Sequence, residues 1–536
     1  MSLFLLTCMR CAQVGPLSGG KKDTTPPQLV ESFPTINSVN FNGKELVFTF
    51  DEYVQVRDLT NQFAVSPKLS TQPTVKAEGK KIVVDFENMD LLPNTTYRMV
   101  FGKAICDMNE SNPTENFEFV FSTGDHIDTL EVSGTVTDAA NNVPVAGALV
   151  GLYQLKKQHD STPYIYVPNY IARTLENGTY SFKNLPAHIF DVFAFTDKNK
   201  NNLYDGEIEK IAFWGPALKL VSDTTIHLSL FQEEATKTFI KHSGSQFYGS
   251  AEIFLNKKSK VEVTALNITK PSDLFETSPG KEKDTIVLFY KNAPDTLRLL
   301  LHYLNSNKND TIAISIPDPL KSRNKRLSYQ LNTTGGTLGV DEKLTMSFQR
   351  WMDTSKTDLK RVQLMEGNDS LKTPVSLSGK WKSITSYEYN IPLKEGRMYF
   401  FRTDSGAFFD IRGMSNDTLS AKFKTRSKVE FGKVTLKILL SKKQSYVIQL
   451  INEQSVVVRE RSISLSLSSS NATSIDFTGV PPSTYKVRIV FDDNKNNKWD
   501  SGNLLLRKQP ERIRINSKQL KIIADWDIEE EIIEKD

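Results

Sequence analysis

The sequence predicts an all-β chain, a tandem array of small β-sandwich domains, and three observations predict it. The tract Asp197-Lys-Asn-Lys-Asn-Asn-Leu-Tyr-Asp205 returns as Asp492-Asp-Asn-Lys-Asn-Asn-Lys-Trp-Asp500, and Phe182, Pro186, Phe190 and Val192 upstream are matched in fixed register by Phe477, Pro481, Tyr485 and Val487. A whole domain is therefore repeated, not a loop alone. Short runs alternate apolar and polar residues between Pro, Asn and Gly breaks, the period-two mark of antiparallel strands. Finally, 536 residues with 39% hydrophobic and 24% charged side chains exceed one core, and fill several domains of about 100–150 residues each.

Charge excludes one class of partner. The net charge of +4 is spread over lysines that alternate with Asp and Glu. No basic block is interleaved with stacking aromatics, so nucleic acid is not expected as a partner. A helix across a bilayer needs about 20 apolar residues, and no stretch approaches that length.

Taken in order, residues 1–22 read as a signal and tether. The apolar run Leu3-Phe-Leu-Leu6 precedes Cys8 and Cys11, and a small-residue segment rich in Gly and Pro follows. Such a segment cannot bury a face and acts as a linker. The cysteine, the Ser18-Gly-Gly20 linker and Asp23-Thr-Thr-Pro-Pro27 opening a β-domain resemble the start of Bacteroidetes-type lipoproteins that carry a bacterial Ig-like domain of the SbsA type. The resemblance implies an exported outer-membrane lipoprotein, on the periplasmic face or the cell surface, anchored through a lipid on Cys11. Leu5-Leu-Thr-Cys8 is nearer the consensus cleavage pattern, which makes Cys8 the alternative acceptor. Cys106 has no partner beyond the leader and is expected to be a buried hydrophobe.

Residues 23–126 contain the alternating runs Glu45-Leu-Val-Phe-Thr-Phe50 and Lys81-Ile-Val-Val-Asp-Phe86, then Tyr97-Arg-Met-Val-Phe101 after Leu92-Pro-Asn94, and they close on Phe117-Glu-Phe-Val-Phe-Ser-Thr123. This is the pattern of an Ig-like sandwich. Residues 341–427 share it: Leu344-Thr-Met-Ser-Phe348 is the early strand, Arg397-Met-Tyr-Phe-Phe401 the later one and Ala421-Lys-Phe-Lys-Thr425 the ending, with Asp410 placed like Asp107. In 127–232, Gly134-Thr-Val-Thr-Asp138, Pro144-Val-Ala-Gly-Ala148, Glu176-Asn-Gly-Thr-Tyr-Ser-Phe182 and Leu185-Pro186 resemble the transthyretin-like module of carboxypeptidase regulatory domains. Asn177-Gly178 is a strong hairpin signal. Residues 428–536 keep the Pro481 and Tyr485 half and form a diverged second copy. Residues 233–340 are expected to be a β-sandwich of unassigned type.

The repeated loop is the best candidate for chemistry. Asp197, Asn199, Asn201 and Asp205 stand at positions 1, 3, 5 and 9 of an EF-hand-like loop, with the Leu203 carbonyl at 7, and the second copy offers Asp492, Asn494, Asn496, the Lys498 carbonyl and Asp500. Alternate residues of a curved loop point oxygens inward, which suits Ca2+. Neither copy has a closing Glu at position 12, where Ile208 and Asn503 fall, though Glu207 is one residue earlier; any calcium affinity is expected to be about 10⁻⁴ to 10⁻³ M at best. The other reading is an Asn-rich turn closed by side-chain to backbone bonds without metal. Asn202 and Asn497 stand where a turn glycine is usual, which Asn tolerates. Tyr204 and Trp499 are expected to pack at the loop exit.

No other catalytic pattern stands out. The six histidines lack zinc-helix spacing, and there is no Gly-x-Ser-x-Gly elbow, phosphate loop or Cys-x-x-Cys. Asp-Thr or Asp-Ser before an aliphatic residue recurs, as at Asp128-Thr129, Asp295-Thr296 and Asp417-Thr418. This resembles the O-glycosylation signal of exported Bacteroidetes proteins, and it also describes a turn entering a strand. The expected function is a non-catalytic, membrane-anchored envelope scaffold, calcium-stiffened in the metal reading, with an adhesin or glycan-binding protein as the alternative. An enzyme would require a clustered polar pocket.

Overall fold

The computed structural model describes residues 23–534 apart from 87–88, 155–161, 236, 247, 269, 271–274, 280–283, 305, 307, 319–326, 340–341, 369, 441, 443 and 466–471. Cys8 and Cys11 lie outside the described residues. Contacts divide the chain into two compact units, Met1–Glu233 with Ser501–Pro510, and Glu234–Asp500 with Glu511–Asp536. Almost all regular structure is strand, as the alternation predicts. No described helix is long and apolar enough to cross a membrane.

In unit 1, Glu45–Phe50 shows why these segments are strands. Its side chains alternate between solvent-facing and buried positions, so Leu46, Phe48 and Phe50 form one face. That strand lies in a four-stranded antiparallel sheet ordered Leu29–Phe33, Glu45–Phe50, Lys81–Asp85, Thr74–Glu78. The sheet shares a core with Ala64–Ser66, Thr96–Gly102 and Phe117–Ser122. Phe48 presents its ring to the edges of Phe101, Phe117 and Phe119 at centroid distances of 5.7, 5.3 and 4.8 Å.

One clamp fixes the entry to the Thr96–Gly102 strand. The Tyr97 hydroxyl accepts the Leu92 amide at 2.8 Å, and the Thr123 hydroxyl donates to the Leu92 carbonyl at 2.7 Å while accepting the Thr95 amide at 3.0 Å. Unit 2 repeats it: Tyr399 accepts the Lys394 amide at 2.8 Å, and Thr425 bonds the Lys394 carbonyl and the Arg397 amide. The related endings around Thr123 and Thr425 thus have a physical cause. Asp107 and Asp410 also correspond, each closing a short ribbon, with Val54–Val56 and Met352–Thr357 respectively. Each accepts nearby backbone amides, Asn109, Glu110 and Asn112 in the first case, Arg412 and Met414 in the second.

The central segment proves to share this plan. Its sheet order, Ile240–Gly244, Ser250–Leu255, Thr285–Tyr290, Phe275–Pro279, repeats that of the first sandwich, as does Tyr329–Leu331, Thr345–Phe348, Ser386–Asn390, Ser378–Ser383 later in unit 2.

The second plan occurs once in each unit. Leu130–Asp138 pairs parallel with Thr224–Gln232 and antiparallel with Thr179–Leu185, while Gly432–Leu439 pairs parallel with Asp527–Ile533 and antiparallel with Ala472–Val480. Five principal cores result among the described residues, spanning Leu46–Phe121, Val132–Leu230, Tyr248–Ile316, Leu327–Phe423 and Val434–Ile532.

Candidate functional site

Each repeated tract connects antiparallel neighbours in a sheet, Ile189–Phe195 with Lys210–Phe213 and Ser483–Phe491 with Ile513–Ile515. Strand pairing brings the two ends of each connection together, and the Asn and Asp side chains decide its shape in between.

In the first loop, Asp197 is buried, and one carboxylate oxygen takes the Arg173 guanidinium at 2.7 Å while the other accepts the Asn202 amide at 3.3 Å. Asn199 and Asn201 both donate their side-chain amides to the same Oδ2 of Asp205, at 2.7 and 3.1 Å. Their own Oδ1 atoms accept the amides of Asn201 and Leu203 at 3.1 and 2.8 Å. Lys200 and Asn202 adopt left-handed backbones, φ 61° and 60°, so Asn202 does stand in for a turn glycine. Tyr204 is buried at the exit, and its hydroxyl donates to Glu233 at 2.9 Å. Burial, with Glu233 beside it, pushes the pKa of that phenol upward.

The second loop has the same bonding. Asn494 and Asn496 donate to Oδ2 of Asp500, the latter at 2.6 Å, and their Oδ1 atoms accept the amides of Asn496 and Lys498 at 3.1 and 3.0 Å. Lys495 and Asn497 take φ 61° and 63°. Asp492 differs from Asp197: its two oxygens accept the Asn496 and Asn497 amides, both at 3.0 Å. Lys498 reaches Asp500 at 2.9 Å. Burial alone would raise the Asp500 pKa, but hydrogen bonds from Lys498, Asn494 and Asn496 hold it below the usual carboxylate range. Trp499 packs against Val447, Val490 and Ile513 and donates its indole N–H to the Glu511 carbonyl at 2.9 Å. Tyr204 and Trp499 are thus exit packing, as expected.

Sequence spacing missed the residue that closes each loop. Glu209 is 1% exposed, and its carboxylate spans the mouth of the first loop, accepting the amides of Lys198 at 2.7 Å and Asp205 at 3.1 Å. Glu511 is 5% exposed and does the same for Asp493 and Asp500, both at 3.0 Å. Burial pushes the Glu511 pKa up, and the neighbouring Asp500 charge adds to that. Glu207, the acid nearest the expected closing position, is exposed. The findable signal was the shared triplet Glu209-Lys-Ile211 and Glu511-Arg-Ile513 at the start of the returning strand.

Asn199, Asn201 and Asp205 therefore converge, as do Asn494, Asn496 and Asp500, whereas Asp197 and Asp492 turn to other partners. For Leu203 and Lys498, the bonds placed are those of their amides. Turning the Asn amides over would direct three side-chain oxygens of each loop at one point, but it would also set their NH2 groups against the backbone amides that the Oδ1 atoms accept. In the second loop no guanidinium holds the leading aspartate, while Lys498 pairs with Asp500. Among the described residues no three His, Cys, Asp or Glu side chains gather to hold a metal. Cys106 is buried, and burial raises its thiol pKa. Thr129, Thr296 and Thr418 are exposed, while Thr285, in another Asp-Thr pair, is buried.

Residues 23–123 match the family model of the bacterial Ig-like domain. No curated protein matches the chain. Similar solved structures include the S-layer protein rSbsC(31-844), at 11% identity and TM-score 0.14 over 91% of this chain and 67% of that one. Others are BcpA, the major pilin subunit of Bacillus cereus, at 10% identity and TM-score 0.14 over 76% of this chain and 99% of that one, and the four amino-terminal Ig domains of Dscam1, at 7% and 0.16 over 72% and 99%. At such TM-scores these likenesses carry no inference about what this chain does.

Proposed function

We propose that this chain is a non-catalytic lipoprotein of the cell envelope, exported and held at the outer membrane by a lipid on Cys11, with Cys8 as the alternative, where it serves as a modular scaffold. The observation that supports the scaffold reading is the run of five separate cores, all made of β-sandwich strands and the first matched by the bacterial Ig-like domain. Each core is lined by large aliphatic and aromatic side chains, and the buried acids of the two loops hold backbone amides. Such modules space and orient surfaces. Domain limits at 23–126, 127–232, 233–340, 341–427 and 428–536 belong to the same proposal.

Palmitate labelling in a lipoprotein-exporting host tests the anchor. Label and membrane association are expected in the full chain and lost in Cys11→Ser or Cys8→Ser; full solubility of the unlabelled native protein would sink the idea. Calcium stiffening is part of the reading, with Asn494, Asn496 and Asp500 as the principal donors. Recovery of partners from native membranes with and without chelator tests whether it matters to assembly; the expected partners are envelope proteins retained only with calcium.

A further inference from the structure

We propose that a cleft in unit 2, where the turns of the Leu327–Phe423 sandwich meet those of the Val434–Ile532 sandwich, binds an acidic oligosaccharide. This goes beyond the scaffold reading and does not depend on the anchor or on calcium. The cleft has a volume of about 800 Å³, within the range of roughly 300–1,000 Å³ usual for ligand sites.

Its lining chemistry selects the ligand. Four cations, Arg426, Lys428, Lys433 and Arg459, stand with three acids, Glu342, Asp525 and Asp527. Several of these are committed elsewhere. Lys428 and Lys433 pair with Glu395 and Asp476 outside the lining, at 3.7 and 3.1 Å, and Glu342 accepts the Gly339 amide at 3.0 Å. Arg459 donates to the carbonyls of Val458 and Gly479, and Arg426 lies over the Phe431 ring at 5.6 Å. Among the described residues Arg426, Arg459, Asp525 and Asp527 make no recorded salt bridge, so two cationic charges and two carboxylates stay unneutralised in the cleft; the Arg459 fork is held by backbone carbonyls, which leaves Arg426 as the guanidinium that can turn to a ligand.

Apolar surface stands beside them. Phe431 lines the cleft, as does Val429, which is exposed. The floor is firm: a Cβ on Gly432 would stand 2.6 Å from the Ile522 side chain and 2.7 Å from the Ile523 carbonyl. Sugar recognition requires this combination. Carboxylates and guanidinium forks bond neighbouring hydroxyls, an aromatic face covers the C–H face of a pyranose, and Arg pairs bidentately with a sugar carboxylate.

Other ligand classes fit less well. An apolar ligand would bury charges without partners. A peptide added as a strand needs a free edge, whereas most of this lining comes from turns and strand ends.

The test titrates the full chain with tetragalacturonate and a hyaluronan hexasaccharide as uronate probes and with cellotetraose as a neutral probe, read by calorimetry and tryptophan fluorescence. At least one uronate is expected to bind, with cellotetraose weaker by about tenfold or more. Val429→Glu, which sets a like charge at an exposed lining position, and Arg426→Lys are each expected to weaken that binding by about tenfold without lowering the melting temperature. Should Arg426→Lys disturb folding, Val429→Glu decides alone, because its side chain is exposed. The proposal is overturned if neither uronate binds at millimolar concentration, if cellotetraose binds equally well, or if binding survives Val429→Glu unchanged.

Discussion

In unit 1 the leading aspartate of the Asn-rich loop, Asp197, faces a guanidinium; in unit 2 its counterpart, Asp492, is held by the amides of Asn496 and Asn497. Almost everything else is shared: two asparagines donating to one aspartate oxygen, two left-handed residues, and a buried glutamate bridging two amides. The difference separates shape from charge. The loop's path is set by Asn and Asp bonding to backbone and to each other, while the means of neutralising its carboxylates is free to vary.

The largest break in the comparison is expected from Arg173→Met. Asp197 has a fully buried side chain, and losing its cation strands that charge. A cost of about 3 kcal/mol is expected in unit 1, at the low end for a broken buried pair because Arg173 is 42% exposed. Calorimetry with hydrogen exchange at residues 196–213 checks it, and unchanged protection would show that Arg173 is dispensable. Loop 2 has no equivalent residue to remove. Next come Glu209→Ala and Glu511→Ala, which each free two buried amides at an expected cost of about 2 kcal/mol. Equal loss of protection in both loops would confirm that the clasp is the shared element; a loss in only one would mean the wiring is not equivalent.

The sequence revealed these features unequally. The alternation in Glu45–Phe50 and the fixed offset between the two Asn-rich tracts are local patterns, so the all-β class and the repeated module were legible. The Thr123 and Thr425 endings were visible as well, but their cause, a threonine clamping the turn before a tyrosine strand, is a bond between residues 31 apart in the chain, which no local pattern carries. The central segment lacks that tyrosine pattern, since its strand Thr296–Tyr303 carries Leu297 at the position where Thr96–Gly102 carries Tyr97, and its kinship shows only in strand order. At the loops, Glu209 and Arg173 arrive from neighbouring strands. Glu511 is displaced further, by the intervening Ser501–Pro510, which ended any fixed spacing.

Acidity sharpens the comparison in unit 2. Asp500 has a lowered pKa, so its contribution is present above the ordinary value of 3.8 and is lost as pH falls through the lower folded value. Glu511 has a raised pKa, so its contribution is complete below the ordinary 4.5 and is lost as pH rises through the higher folded value. The two oppose each other in the native loop. Asp500→Asn removes one of them, and the variant is expected to lose loop 2 protection as pH rises from 4 to 7 by about 1 kcal/mol or less.

Calcium is expected to act at a similar level. At ten times its dissociation constant an ion binding only the folded loop adds about 1.4 kcal/mol. Because Asp197 already holds a cation and Asp492 does not, Asp500→Asn is expected to remove most of any calcium-dependent rise in melting temperature, and Asp205→Asn little. An equal effect of the two would erase the distinction drawn from Arg173.

The smallest effect belongs to Lys498→Ala. Its ammonium pairs with Asp500 but is 60% exposed and screened by solvent, so direct loss is expected below about 0.5 kcal/mol and should vanish in high salt. The informative readout is its sign with calcium. Lys498 sits on Oδ1 of Asp500, beside the Oδ2 on which Asn494 and Asn496 converge, and its charge repels an ion there, so removing it should increase the calcium response of loop 2 while leaving loop 1 unchanged. If the response does not grow, the loop oxygens serve the turn alone, and the two loops differ only in how they neutralise an aspartate.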